Sequence, residues 1–208
     1  MSLTIIAFGD SLTTGFIPTR IAHKPYTRFL KQHLENFCSQ NSLTALSIHI
    51  LNRGVNGNLT SDMLLRFQWD VLNAQPTHVI ILGGTNDLGW ELPVEEIFDN
   101  LTEMYTQACE HNIIPVCCAV PSILGWDTGI SPRIQLNAHI KRYCHKKRLQ
   151  FVDLFTQTCD SQTKRLRGEY TSDGLHFNVL GYRKMADIIY NDAIQPLLTT
   201  YMKTINND

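Results

Sequence analysis

The stretch that decides the fold is Ile5-Ile6-Ala7-Phe8-Gly9-Asp10-Ser11-Leu12-Thr13-Thr14-Gly15. Its apolar run stops at Gly9-Asp10, and a serine and a short glycine-containing segment follow. This is typical of a buried strand that ends at the edge of a sheet. In open α/β sheets, the loop that leaves the carboxyl end of a strand is where ligands bind. Ser11 is therefore a candidate nucleophile by position, although a serine after a strand is more often the N-cap of a helix.

Apolar runs of strand type alternate with segments of helical periodicity along the rest of the chain. Further strands are predicted over 46–51, 77–82, 113–120 and 149–153, and helices over 25–37, 60–72, 93–111, 132–147 and 179–198. Alternating strands and helices favour a parallel sheet that is covered on both faces. We predict one domain spanning 1–208, with a tail that is frayed from about residue 199. Its fold class is a three-layer α/β/α sandwich with a five-stranded parallel sheet in the flavodoxin-like order 2-1-3-4-5.

Composition narrows the range of partners. The 208 residues are 43% hydrophobic and 18% charged, and the formal net charge is -1, so nucleic acid and anionic membranes are not expected as partners. We find neither a secretory signal nor an apolar run long enough to span a bilayer, and predict a cytoplasmic protein. The six cysteines show no paired spacing, which, in a protein without an export signal, predicts free thiols and no metal site. No cofactor is expected.

Polar clusters stand where predicted strands give way to helices. In a parallel sheet these ends lie on one edge, so residues that are far apart in sequence can converge there. The clusters are Asp10-Ser11, Asn56-Gly57, Asn86-Asp87 and Asp173-Gly174-Leu175-His176.

Acyl transfer is the chemistry that needs these residue types. A serine hydroxyl requires a base, for which His176 is suited, and Asp173 is close enough to orient its imidazole. The N–H groups of Ser11 and Gly57 and the side-chain amide of Asn86 could stabilise an oxyanion. Each residue also has a plain structural interpretation. Asn86-Asp87 could cap the next helix, Asp173-Gly174 could be a simple turn, His176 a hydrogen-bonded structural histidine, and Gly57 a residue needed only for positive φ.

The motifs Gly9-Asp10-Ser11-Leu12, Gly57, Gly84-Thr85-Asn86-Asp87 and Asp173-Gly174-Leu175-His176 resemble the four sequence blocks of the GDSL, or SGNH, hydrolases, in the same order. The resemblance implies an α/β/α sandwich and a metal-free esterase, lipase or thioesterase activity, similar to that of lysophospholipase or arylesterase types. It further implies Ser11 as nucleophile, His176 as base supported by Asp173, and Ser11, Gly57 and Asn86 as the oxyanion hole.

The substrate is expected to be a small acyl ester. Residues near the motif loops could contact it, and several would form an apolar wall suited to an acyl chain or an aromatic ester. Packing between helices and sheet is an equally good interpretation of the apolar ones. The candidate substrate-binding residues are Asp10, Leu12, Trp90, Leu124, Trp126 and Phe177. The oligomeric state cannot be read from the sequence.

Two other functions remain open at this point. The first is a nucleotide- or flavin-binding module, since segment 11–15 is rich in hydroxyls that could cradle a phosphate. The charge of Asp10 and the lack of a glycine-rich phosphate motif argue against it. The second is a carbohydrate O-deacetylase that uses the same site, which usually requires export to meet a cell-wall glycan.

Overall fold

The computed structural model describes residues 2–41, 43 and 46–205. The strands are β1 Ser2–Gly9, β2 Phe16–Ile17, β3 Ala22–His23, β4 Ser47–Gly54, β5 His78–Leu82, β6 Ile114–Cys118 and β7 Gln150–Val152. The α-helices are α1 Ser11–Thr14, α2 Tyr26–Gln40, α3 Thr60–Asp70, α4 Thr85–Gly89, α5 Val94–Glu110, α6 Ile130–Lys147, α7 Leu154–Thr158, α8 Val179–Ile189 and α9 Gln195–Ile205.

The main sheet is five-stranded and parallel, in the order β4-β1-β5-β6-β7. Numbered by strand within this sheet, the order is 2-1-3-4-5, which confirms the predicted topology. Helices α2, α8 and α9 cover one face, and α3, α5 and α6 cover the other. The predicted α/β/α sandwich is therefore confirmed.

Strand β1 shows why both faces must be covered. Its side chains alternate between two cores, because successive residues of a strand point to opposite faces. Ile5 and Ala7 pack with α2 and α8, whereas Ile6 and Phe8 pack with α3 and α5. All four side chains are fully buried. A strand that is apolar on both faces is stable only in the middle layer of such a sandwich.

Strand register brings the loops of the candidate site together. Gly9, the last residue of β1, pairs with Gly54 at the end of β4 and with Leu82 at the end of β5. The carboxyl ends of these three strands are therefore level, and the segments that follow them leave from one edge of the sheet.

Several boundaries differ from the predicted ones. Strand β4 runs to Gly54, so the loop predicted from residue 52 begins three residues later. A small antiparallel hairpin, β2–β3, follows α1 and was not predicted. Helix α9 continues to Ile205, past the position near 199 where fraying was expected, and 206–208 lie outside the described residues. Among the helices of the described residues, none has the length and apolarity needed to cross a bilayer.

Candidate active site

Ser11 is the first residue of α1, and its hydroxyl faces a histidine from the other end of the chain. Asp10 is the N-cap of this short helix, because its Oδ1 accepts a hydrogen bond of 2.8 Å from the N–H of Leu12. The capping role considered for Ser11 therefore belongs to Asp10. Ser11 Oγ lies 3.1 Å from His176 Nε2, a hydrogen bond that spans 165 residues of sequence.

The imidazole of His176 is held from its other side by Asp173. His176 Nδ1 lies 2.8 Å from Asp173 Oδ2. Burial raises the pKa of Asp173, but hydrogen bonds from the His176 ring and from the N–H groups of Leu175 and His176 outweigh burial and lower it overall. An ionised carboxylate only accepts hydrogen bonds, so Nδ1 carries the proton and Nε2 is the acceptor for the serine hydroxyl. This is the tautomer that a general base requires.

A tight turn positions the Asp173–His176 pair. Thr171 Oγ1 accepts a hydrogen bond from the N–H of Gly174 and donates one to the carbonyl of His176. Gly174 has φ of 90°, and a Cβ at this position would clash with the carbonyl oxygen of Leu124. This position therefore requires glycine. The N–H of Leu124 in turn donates to Gly174 O, which joins the loop after β6 to the turn.

The hairpin β2–β3 covers the imidazole. The ring of Phe16 meets the ring of His176 edge to face, with centroids 5.3 Å apart and planes at 87°. Tyr182 of α8 fixes this position, because its hydroxyl donates to the carbonyl of Phe16 at 2.9 Å. Phe16 therefore packs against the imidazole, a contact that no pattern in the sequence indicated.

The loop after β4 brings Gly57 to the same edge of the sheet. Gly57 has φ of 79° and no atom within 4 Å of the position of a Cβ, so backbone conformation and not crowding accounts for glycine here. The loop is held on both sides of Gly57. Thr14 Oγ1 of α1 donates to Asn56 Oδ1 at 2.6 Å, and Asn86 Nδ2 donates to Asn58 O at 2.9 Å.

The sequence suggested that Asn86-Asp87 caps the helix that follows it, but Asp87 caps α3. Its carboxylate accepts from the N–H and the hydroxyl of Thr60, at the start of α3, which precedes Asp87 in the chain. Burial raises the pKa of Asp87, and the hydrogen bonds from Thr60 act in the opposite direction. Asn86 and Asp87 therefore hold the segment that links Gly57 to α3 at two successive points.

Asp10 lies beneath the nucleophile and is fully buried. Burial raises the pKa of its carboxyl to about 7, with the hydrogen bond from the N–H of Leu12 as the main opposing effect. Its Oδ2 has no hydrogen-bond partner among the described residues. Asp10 is thus a buried support of α1, and its carboxylate has no exposed surface for the substrate contact that the sequence suggested.

The apolar residues predicted to contact substrate differ in exposure. Leu12 and Phe177 are 1% and 0% exposed and belong to the core on the α2 face, so for them the packing interpretation is correct. Trp90 and Leu124 are 75% and 37% exposed. Trp126 is half-buried in a small cluster that also includes Leu175, next to His176. These last three remain candidates for substrate contact.

Within residues 2–41, 43 and 46–205, no group of three or more His, Cys, Asp or Glu side chains is arranged to hold a metal ion. The six cysteines are free thiols.

Solved structures of similar fold include proteins described as lipases, acylhydrolases and acetyl xylan esterases. A GDSL-like lipase from Bacteroides thetaiotaomicron has a TM-score of 0.71 at 24% identity, with 90% of this chain and 86% of that chain covered. A lipase/acylhydrolase from Enterococcus faecalis has a TM-score of 0.75 at 22% identity, covering 91% and 94%. An acetyl xylan esterase from Geobacillus stearothermophilus has a TM-score of 0.76 at 18% identity, covering 91% and 94%.

Two curated relatives are longer than this chain. The lipoprotein YqeF of Bacillus subtilis is 30% identical over 128 residues, which are 58% of this chain and 50% of that protein. An N-acylneuraminate cytidylyltransferase of Streptococcus agalactiae is 25% identical over 154 residues, which are 73% of this chain and 37% of that protein. The chain thus spans half or less of the length of these relatives.

The family model that matches the sequence covers most of it. The model of the GDSL-like lipase/acylhydrolase family matches residues 7–184, from the middle of β1 into α8. This range includes every motif on which the resemblance to GDSL hydrolases was based. The chain therefore belongs to the GDSL-like lipase/acylhydrolase family.

Proposed function

We propose that the protein is a serine hydrolase that cleaves carboxylic esters through an acyl-enzyme at Ser11. The observation that carries this proposal is the continuous hydrogen-bonded chain from Ser11 Oγ to His176 Nε2 and from His176 Nδ1 to Asp173 Oδ2. Each of the three groups has the partner that a nucleophile, a base and an orienting carboxylate need.

In the acylation step, Ser11 Oγ attacks the carbonyl carbon of the ester while its proton passes to His176 Nε2. The positive charge that forms on the imidazole is stabilised by Asp173 across the 2.8 Å hydrogen bond. When the tetrahedral intermediate collapses, the bond to the leaving alkoxide breaks and the proton on Nε2 passes to that oxygen.

The carbonyl oxygen becomes an oxyanion during this attack and needs hydrogen-bond donors. We assign this role to the N–H groups of Ser11 and Gly57 and to the side-chain amide of Asn86. The hydrogen bond from Asn86 to Asn58 O uses one N–H of the amide and leaves its second N–H for substrate. A donor fixed in advance stabilises the transition state without having to reorganise.

In deacylation, water is the nucleophile and Ser11 Oγ is the leaving group. Water takes the place of the leaving alcohol, gives a proton to His176 Nε2 and attacks the acyl carbon. Collapse of the second tetrahedral intermediate breaks the bond to Ser11 Oγ, which regains its proton from Nε2. No metal or cofactor is needed for either half of this reaction.

The substrate class is the second part of the proposal. Lysophospholipid-like, aryl and thioester substrates all suit the same apparatus. A carbohydrate O-deacetylase is the second candidate, because acetyl xylan esterases are among the proteins of similar fold. A cytoplasmic location also stays a prediction, since one relative is described as a lipoprotein.

Acyl-enzyme trapping tests the proposal directly. The protein is mixed with excess p-nitrophenyl acetate, quenched in acid, and measured by intact and peptide mass spectrometry. We expect one acetyl group on the peptide that contains Ser11, and none in Ser11→Ala. An acetyl group on the same peptide of Ser11→Ala, or turnover that Ser11→Ala retains, would contradict a mechanism through Ser11.

A further inference from the structure

Arg66 of α3 reaches the carboxyl ends of two strands with a side chain that is only 18% exposed. Its Nη2 donates to Gly9 O and its Nη1 to Arg53 O, both at 2.9 Å. Its guanidinium carbon lies 4.1 Å from the centre of the Phe8 ring, a cation–π contact. Arg66 therefore joins β1, directly before Asp10 and Ser11, to the neighbouring strand β4.

The same guanidinium also holds the loop that contains Gly57. Arg66 Nε donates to Asn58 Oδ1 at 2.7 Å. The backbone carbonyl of Asn58 accepts the hydrogen bond from Asn86 Nδ2. Asn58 is thus held through its side chain by Arg66 and through its main chain by Asn86, next to Gly57.

We propose that Arg66 and Asn58 are positioning residues that hold the Gly57 N–H and the Asn86 amide in place for the oxyanion. This inference rests on the proposed function, because it concerns the donors of that reaction. Neither residue is expected to contact substrate. They act by fixing one loop, between Gly57 and α3, relative to the end of β1 where Ser11 begins.

The geometry of the guanidinium group explains why position 66 needs an arginine. A guanidinium presents its donors in a rigid plane, and here three nitrogens serve Gly9, Arg53 and Asn58 at once. A lysine at position 66 keeps the positive charge, but its single nitrogen cannot occupy these three places. Arg66→Lys should therefore loosen the loop while it leaves the charge of α3 unchanged.

The test compares Arg66→Lys, Asn58→Ala and the double variant on a p-nitrophenyl ester, with kcat, KM and Tm measured for each. Displaced oxyanion donors weaken binding of the transition state more than binding of substrate. We expect kcat to fall roughly 10- to 100-fold in each single variant, with KM changed less than about threefold. The double variant should be no slower than about the slower single variant, because both substitutions break one linkage.

Two matched controls isolate the linkage from general effects on the fold. Asp70→Asn alters the ion pair that Arg66 makes with its own helix and keeps an acceptor oxygen at position 70. Asn73→Ala removes an exposed asparagine that pairs with Gln68. Both controls should keep wild-type kcat.

Four outcomes would overturn the inference, and they are distinct. If the wild type is active and Arg66→Lys keeps its kcat, Arg66 does not position the donors. If kcat falls only in proportion to a lower Tm and recovers on cooling, or if the two single losses multiply, the role of Arg66 is general stabilisation. A wild type with no turnover on any ester would contradict the proposed function itself, and with it this inference.

Discussion

Asp173 holds His176 through both of its carboxylate oxygens. Oδ1 accepts the backbone N–H of His176 at 2.7 Å, and Oδ2 pairs with Nδ1 of its ring at 2.8 Å. One side chain thus fixes the main chain and the imidazole of the same residue, three positions along the sequence. This local geometry accounts for the short spacing between the aspartate and the histidine of the Asp-Gly-Leu-His segment.

Asp173→Asn should remove the preference for the correct tautomer. An amide can donate to Nδ1, which would move the imidazole proton to Nε2 and take away its ability to accept from Ser11. We expect kcat to fall by roughly 10³- to 10⁴-fold, with little change in KM. Asp160→Asn is a matched control, because Asp160 Oδ1 caps the N–H groups two and three residues ahead in the same way. A comparable loss in both variants would contradict the role of Asp173.

Asn86→Ala removes one proposed oxyanion donor. Loss of such a donor typically lowers kcat by about 10²- to 10³-fold. Asn86→Asp should be worse than Asn86→Ala, since a carboxylate would repel the oxyanion and cannot donate. Steady-state rates on one p-nitrophenyl ester decide this order. An aspartate variant as active as the alanine variant would argue against an oxyanion near this side chain.

Gly174→Ala tests the close approach of the turn that carries Asp173 and His176 to the loop after β6. Both Gly174 and Gly125 have φ of 90°, but a Cβ would clash with Leu124 O only at position 174. Gly125→Ala therefore measures the cost of the backbone conformation alone. We expect Gly174→Ala to have the lower Tm and the lower kcat. Equal effects in the two variants would show that the contact with Leu124 is unimportant.

Asp10→Asn should stabilise the protein at alkaline pH. Burial raises the pKa of Asp10 from 3.8 to about 7, so the folded state holds this proton more tightly than the unfolded state. The contribution of this carboxyl is fully present below pH 3.8 and is lost as pH rises to about 7. The loss amounts to roughly 4 kcal/mol. Asparagine keeps the cap on the N–H of Leu12 without this loss.

Urea unfolding of wild type and Asp10→Asn between pH 4 and pH 8 measures the effect. The variant should gain in relative stability across this range and level off above about pH 7. A difference in unfolding free energy that does not change with pH would contradict a buried, protonated Asp10.

The topology could be predicted, and candidate catalytic positions could be proposed, because their signals in the sequence are local. A buried parallel strand is apolar along its whole length, and the polar residue where it stops marks the edge of the sheet, as Asp10-Ser11 does. Predictions of which side chains contact substrate were weaker, because tertiary packing decides which side chains are buried. Leu12 and Phe177 follow the proposed catalytic residues Ser11 and His176 in sequence, but both side chains point into the core.

The residues that hold the site in place had no comparable pattern in the sequence. Arg66 occupies a polar position on α3, and nothing local indicates that it reaches Gly9, 57 residues away. The sequence motif singled out Asp87, but its carboxylate accepts a hydrogen bond from the start of α3 and does not cap the helix that follows Asp87. Long-range hydrogen bonds of this kind depend on the folded arrangement of the elements, which one sequence does not encode as a pattern.

Hydrolysis of p-nitrophenyl esters of graded acyl length, by wild type and Ser11→Ala side by side, tests the central claim most directly. We predict turnover in the wild type that disappears in Ser11→Ala, while both proteins keep the same Tm and circular dichroism. The length profile would separate an acetyl esterase from an enzyme for longer acyl chains. Equal turnover in a folded Ser11→Ala variant would contradict the account.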